Sequence, residues 1–256
     1  MAENSPTVPA TVTPIVALDV ADARAAQAMV SRLGDACGFY KVGLELFAAE
    51  GPGIVRWLRD AGKLVFVDLK LHDIPNTVRG AARSVARHGA SLLTVHASGG
   101  SEMIRAAVEG AAEGAAEGAA EGAAGAAAGG CGILGVTILT SMDAAGIGEA
   151  WGRDGVDVTG EVVRLAGLVR NGGGVGIVCS GHEAAAVRSA YGDALGLLIP
   201  GIRLPGGEAH DQRRVMTPQA AAGAGARWLI LGRAVTGASD PVAGMELVAA
   251  SLAGAV

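Results

Sequence analysis

Asp68, Lys70 and Asp73 fall within FVDLKLHDIPNT (66–77), directly after an apolar run. A carboxylate and an ammonium two residues apart on a strand point to the same face. Side by side, such groups can stabilise a developing charge and carry a proton. Buried without partners they would cost desolvation energy, and merely exposed they would be worth little. Asp73 lies beyond the apolar run, where Pro75 and Asn76 favour a turn. A structural ion network stabilising this loop is the plainer reading, and the trio alone does not decide between the two.

Polar residues also close the other apolar runs. Asp19 ends the first, Lys41 sits in the second and His96 ends the fourth. Thr140 and Ser141 end the fifth, Ser180 ends the sixth, the seventh leads into Arg203, and the eighth ends at Gly232 and Arg233. Gly232 permits close backbone approach, and the Arg233 guanidinium can fork onto a phosphate. The segment PGIRLPGGEAHDQRR (200–214) follows the seventh run. A polar stretch of that length in a compact domain reads as a lid rather than filler. His72 and His96 lie near the charged groups and read as structural rather than catalytic.

The elements that would position these residues repeat along the chain. Strand-like runs are PIVALD (14–19), FYKVG (39–43), LVFVDLK (64–70), SLLTVHA (91–97), ILGVTILT (133–140), VGIVCS (175–180), LGLLIP (195–200) and WLILGR (228–233). Helix-length segments such as ARAAQAMVSRL (23–33) and TVRGAARSVARHG (77–89) separate them. Alternating strands and helices argue for parallel β-α units, and near-continuous apolar strands for a sheet covered on both faces. Eight such repeats in 256 residues predict an α/β fold, a single (β/α)₈ TIM barrel. In that fold the polar strand ends form one rim, where active sites sit. A doubly wound open sheet is the alternative. It usually needs fewer strands, and no G-x-G-x-x-G opens a helix after the first strand.

The domain expectation is a mobile tail at 1–13 and one barrel at 14–256. Within the barrel, EGAAEGAAEGAAEGAAGAAAGG (109–130) is a low-complexity insertion after the fourth strand. Ala and Glu favour helix, while each Gly costs about 1 kcal/mol against Ala. With few large apolar groups to anchor it, the insertion reads as a frayed helix or a mobile surface segment that could be deleted without loss of activity.

Half of the residues are apolar and the net charge is −5, with no long basic run. A nucleic-acid or anionic-membrane surface is not expected. Cys37, Cys131 and Cys179 are scattered, form no C-x-x-C or Cys/His cluster, and read as reduced thiols in a cytoplasmic protein. The first residues lack a signal peptide's basic start and apolar core, and no stretch of about 18 apolar residues is long enough to span a membrane. No metal or cofactor motif is present.

Several motifs run in order through nearly all of the chain beyond the tail. They are VALD (16–19), KVGLELF (41–47), DLKLHDIPNT (68–77), VHASGG (95–100), VTILTSM (136–142), PGIR (200–203), DQRRVMTP (211–218) and LGR (231–233). In them the chain resembles the orotidine 5′-phosphate decarboxylases of the shorter bacterial form. The insertion departs from the pattern but lies away from every matching motif. The resemblance implies a homodimeric (β/α)₈ barrel that converts orotidine 5′-phosphate to UMP and carbon dioxide with no metal or organic cofactor. It implies that Lys70 stabilises the C6 carbanion and donates the proton. Asp68 would repel the substrate carboxylate, and Asp68 and Asp73 would keep Lys70 charged and aimed. Lys41 would complete an alternating array and touch the ribose. Asp19 would bind ribose hydroxyls, Thr140 the base, and Gln212, Gly232 and Arg233 the phosphate, with Arg203 bordering the lid. Asp73, Ile74 and Thr77 would reach the neighbouring subunit's substrate.

Two other functions compete. A related barrel decarboxylase or aldolase would use a magnesium-bound enediolate and an extra acidic ligand, typically at the end of strand two, where this chain has Lys41. A catalytically silent phosphate-binding barrel would have lost a rim charge, yet Asp68, Lys70 and Asp73 are all present.

Overall fold

The computed structural model describes residues 12–121, 130–204 and 215–254. The apolar runs form eight strands: β1 (Thr13–Leu18), β2 (Phe39–Val42), β3 (Leu64–Leu71), β4 (Leu92–His96), β5 (Gly132–Val136), β6 (Gly176–Val178), β7 (Gly196–Ile199) and β8 (Ala226–Leu231). Each pairs in parallel with the next, and β8 returns to β1, which closes the barrel in sequence order. The connections carry α1 (Ala23–Leu33), α2 (Leu44–Glu50) and α3 (Gly53–Asp60), then α4 (Pro75–Arg87) and α5 (Gly100–Ala120). They continue with α6 (Ala144–Trp151), α7 (Val158–Asn171), α8 (Ala184–Tyr191), α9 (Pro218–Gly223), α10 (Arg233–Thr236) and α11 (Pro241–Ala253). Local chemistry marks several starts. Asp22, Asp143 and Thr217 cap α1, α6 and α9 through their side chains, and Pro75 opens α4 with a φ already suited to a helix.

The strands are apolar on both faces because each face meets a different core. Ile15 and Ala17, Phe39, Phe66, Leu92, Leu134, Leu198, and Trp228 and Ile230 form a small cluster that plugs the barrel interior. The alternate residues, among them Val16, Leu18, Val65, Val67, Leu93 and Leu231, join the larger cluster beneath the helices. Extending the inward register by two residues leads from this plug to Asp19, Lys41, Asp68, Thr94 and Gly232. The polar rim is thus the top layer of the same stack of side chains.

Two boundaries differ from those expected in ways that bear on the domain limits and the site. β1 begins at Thr13, and Val12 already packs on the core, so the barrel starts slightly earlier than residue 14. Residues 1–11 lie outside the described residues. β5 stops at Val136, and Thr140 lies in the turn that follows. The Thr137 N–H still donates to the Val178 carbonyl at 3.2 Å, and its Oγ1 donates to the same carbonyl at 2.8 Å.

The larger correction concerns the Ala-Ala-Glu-Gly repeat. Up to Ala120 it is neither frayed nor loosely attached, but the second half of α5; residues 122–129 lie outside the described residues. Gly110, Gly114 and Gly118 are buried against α4, and a Cβ on any of them would collide with the backbone carbonyl of Arg79, Arg83 or Arg87 respectively. On the flank of this contact, Arg79 pairs with Glu113, Arg83 with Glu117 and Arg87 with Glu121. Glycine is chosen here for the space it leaves, and close backbone approach replaces large side chains as the anchor. Replacing Gly114 by Ala sets about 1 kcal/mol of helix propensity against about 1–3 kcal/mol of overpacking. Gly114→Ala should therefore melt below the parent protein by a few degrees, despite the better helix former. A raised melting temperature would show that the two helices do not meet in this register.

Candidate active site

Asp68 sits at the centre of the rim. Its Oδ2 accepts from Lys70 Nζ at 2.9 Å and lies 3.9 Å from Lys41 Nζ, and its Oδ1 accepts from Thr94 Oγ1 at 2.9 Å. Lys41 in turn donates to Asp19 Oδ1 at 2.7 Å. The side chains of Lys41 and Asp68 are mostly out of water, at 9% and 15% exposure, while Lys70 keeps 30% and Asp19 64%. The order Asp19, Lys41, Asp68, Lys70 alternates in sign from the β1 end to the β3 end. Each desolvated charge therefore has an opposite neighbour, the condition under which burying it is tolerable. Gly43 leaves room for the first pair, since a Cβ there would lie 2.9 Å from Lys41 Nζ.

The end of β3 is not a plain strand. Its register with β4 shifts between Val67 and Leu71, and Lys70 has φ +51°, the one non-glycine residue with positive φ among those described. Such a conformation costs of order 1–3 kcal/mol for a residue with a Cβ. The Lys70 N–H donates to Thr94 Oγ1 at 2.9 Å, so one hydroxyl holds both the Lys70 backbone and the Asp68 carboxylate. Thr94 is fully buried. Sequence reasoning passed over it, although a hydroxyl inside SLLTVHA, two residues before His96 and on its face of β4, was the available signal.

Asp73, Ile74 and Thr77 are all exposed, in the turn after β3 and the first turn of α4. Asp73 does not join the array within one chain. Its Oδ1 accepts from the Ile74 N–H at 2.6 Å, and Ile74 is 68% exposed, an unusual state for a large apolar side chain. His72 and His96 lie beside Lys70 with ring centroids 5.4 Å apart. Burial, and then the nearby His72 and Lys70, hold His96 below its ordinary pKa.

Across the barrel, Gly232 and Arg233 begin α10 after β8. Arg203 is buried, and its pKa is depressed first by that burial and then by the Arg233 guanidinium. Arg203 N–H donates to the Met216 carbonyl at 2.9 Å, and Met216 N–H to the Gly201 carbonyl at 3.2 Å, so the chain on either side of 205–214 is tied together. Gln212 and most of the expected lid lie outside the described residues. Thr140 is half-buried near the rim. Of the expected site residues, the structure joins Asp19, Lys41, Asp68 and Lys70 directly and brings Arg203 within electrostatic reach of Arg233. Among the described residues no group of three or more His, Cys, Asp or Glu side chains is gathered where a cation could bind, and no helix is long and apolar enough to cross a membrane.

These features define a class: a parallel (β/α)₈ barrel with a charge-alternating site at the carboxyl ends of its strands. Residues 13–248 match the sequence profile described as the orotidine 5′-phosphate decarboxylase / HUMPS family, and the chain belongs to that family. It is 48% identical over 240 residues to a protein of Anaeromyxobacter dehalogenans named orotidine 5′-phosphate decarboxylase, with 92% of this chain and 96% of that one covered. A Moorella thermoacetica protein of the same name is 44% identical, with 93% and 91% covered. The crystal structure of orotidine 5′-phosphate decarboxylase from Lactobacillus acidophilus superposes with a TM-score of 0.80 at 33% identity, over 94% of this chain and 99% of that one.

The depressed pKa of His96 has a consequence for stability. The unfolded chain, with histidine near 6.5, takes up protons before folded His96 does as the pH falls. The stability tied to this group is complete above about pH 6.5 and declines below it. His88, depressed mainly by burial, adds a slope of the same sign. Chemical denaturation across this range should show His96→Gln with a shallower loss toward pH 5 than the parent chain. A profile parallel to the parent's would mean that His96 titrates alike in the folded and unfolded states.

Proposed function

We propose that the chain catalyses the cofactor-independent decarboxylation of orotidine 5′-phosphate to UMP and carbon dioxide, the last step of de novo UMP synthesis in the cytoplasm. The observation that carries this reading is the Lys70 ammonium, held on Asp68 in a conformation its backbone would not choose freely. When the bond from C6 to the carboxyl carbon breaks, its electron pair stays on C6 in the ring plane, where the π-system cannot take it up. Lys70 stabilises that charge electrostatically and then gives C6 a proton, and solvent re-protonates the amine. Asp68 faces the departing carboxylate, and their repulsion ends as neutral carbon dioxide forms.

Asp19 and Lys41 hold the ribose, and Thr140 holds the base. Gly232 and Arg233, with Arg203 beside them and Gln212 by family resemblance, hold the phosphate. Two guanidiniums that repel each other would both gain from a dianion. The homodimer completes the array, with Asp73, Ile74 and Thr77 entering the neighbour's site. The exposure of Ile74 and of Leu44, which begins α2 just after β2 at the same rim, supports a covered face there. The metal-dependent alternative is disfavoured by Lys41, whose ammonium pairs with Asp19 where that chemistry needs a further acid.

Lys70→Ala should lower kcat by about ten-thousandfold or more, with UMP affinity changed far less, because its role is at C6. The parent enzyme's rate, followed by the absorbance change of orotidine 5′-phosphate, should be indifferent to EDTA. A Lys70→Ala rate within tenfold of the parent would remove Lys70 from the mechanism, and inhibition by EDTA would favour the enediolate reading. Mixed subunits test the shared site. Lys70→Ala and Asp73→Asn chains, each inactive alone, should regain activity as hybrids, because one site then receives both intact residues. Hybrids that form but stay inactive would show that Asp73 serves its own chain.

A further inference from the structure

The turn that carries Asp73 has little of its own to hold it. Asp73 and Thr77 are exposed, and the local ties are the Ile74 N–H to Asp73 Oδ1 and the Thr77 and Val78 N–H groups to the Ile74 carbonyl, the last two belonging to the start of α4. Their position is inherited from α4. The buried face of α4 is Val78, Ala82, Val85 and Ala86, small apolar groups that set its distance from the barrel. Such non-directional contacts do little to fix how far the helix sits along its own axis. The contact with α5 does. Every fourth residue of α4 from Arg79 to Arg87 meets a glycine of α5 through its carbonyl, and a glutamate 34 residues on through its guanidinium. Sliding α4 would break all three rungs together.

We propose that Gly110 and the Arg79–Glu113 pair are positioning elements of the shared active site. They fix the axial height of α4 and thereby place Asp73 and Thr77 in the neighbouring subunit. The inference rests on the reading that these residues act across the dimer. Arg79 lies two residues beyond Thr77, whereas Arg87 lies about 12 Å deeper along the helix. The rung at Gly110 is therefore the one coupled most directly to the site, and the rung at Gly118 the least. A misplacement of about 1 Å can cost a catalytic group a hundredfold.

Gly110→Ala should lower kcat/KM by about ten- to a hundredfold, whereas Gly118→Ala, with a comparable loss of thermal stability, should lower it by less than about threefold. The decisive readout is rescue by a partner. With excess Lys70→Ala chains, each Gly110→Ala chain keeps its own Lys70 and receives an undisplaced Asp73, so activity per Gly110→Ala chain should rise at least fivefold. A defect that is merely structural, or that acts on the chain's own Lys70, would not be relieved this way. Should Gly110→Ala fail to fold, Glu113→Arg replaces it. The loss should be rescued by the same partner, and also within the chain by adding Arg79→Glu. The Lys70→Ala and Asp73→Asn hybrid serves as the control. If that control is inactive, the shared-site reading itself fails. If it is active while Gly110→Ala or Glu113→Arg gains nothing from the Lys70→Ala partner, or if Gly118→Ala loses as much as Gly110→Ala, the positioning role is wrong.

Discussion

A carboxylate largely withdrawn from water between two ammonium groups is sustainable only while its partners stay where they are. Asp68 is in that position, with Lys70 at 2.9 Å, Lys41 at 3.9 Å and the Thr94 hydroxyl at 2.9 Å. Removing any one partner would leave an imbalance that solvent could only partly correct. The barrel meets this demand by rigidity. Lys41, Asp68 and Thr94 stand on three neighbouring strands, β2, β3 and β4, which pair in register up to Val67, just below the charges. Beneath them the apolar plug fills the interior, so the charges have no room to retreat.

Rigidity alone does not aim Lys70. In a regular strand its backbone N–H would enter the ladder and its side chain would follow the pleat. The register shift and positive φ release the N–H to Thr94 and swing the side chain while Nζ stays on Asp68. The strain of this turn is offset by bonds that also serve the charges. Thr94 joins the two functions, which explains why a hydroxyl is buried in the middle of an otherwise apolar strand.

The fold, and the gathering of Asp19, Lys41, Asp68 and Lys70 at one rim, were legible because both follow from periods. Eight apolar runs alternating with helix-length segments specify the barrel. The two-residue pleat places Asp19, Lys41 and Asp68 one step above Ile15–Ala17, Phe39 and Phe66. Illegible features depended on a partner distant in sequence. Thr94 has a reason to be buried only once β4 lies beside the bulge in β3. The repeat after β4 looked unanchored because its anchor was sought in its own side chains. Its counterpart was Arg79, Arg83 and Arg87 in TVRGAARSVARHG, with the same four-residue spacing as Glu113, Glu117 and Glu121. Two short periods that match across a β-strand signal packed helices even when neither carries a large apolar residue. The strand-five boundary failed for the opposite reason, because VTILT continues the β pattern while the chain turns after Val136.

On the proposed reaction, the number of charges in the site does not change as the bond breaks; only their location does. The substrate carboxylate begins beside Asp68, and the electron pair ends on C6 beside Lys70. Negative charge thus moves away from an anion and toward a cation, and an arrangement fixed in advance favours that displacement at no cost of reorganisation. Asp19 and Lys41 extend the row on the other side: Lys41, held by Asp19, lies 3.9 Å from the same Asp68 oxygen that Lys70 holds at 2.9 Å, so the position of Asp68 is set from two sides. A single chain supplies two cations and two anions in this row, and Asp73 stands outside it, exposed. Bringing in a third carboxylate from another chain would hold Lys70 charged from a second side without adding another negative group to the folding cost of either monomer. Placing that residue at the head of a helix whose height is set by backbone contact, rather than on a free loop, would give a borrowed group nearly the precision of the chain's own.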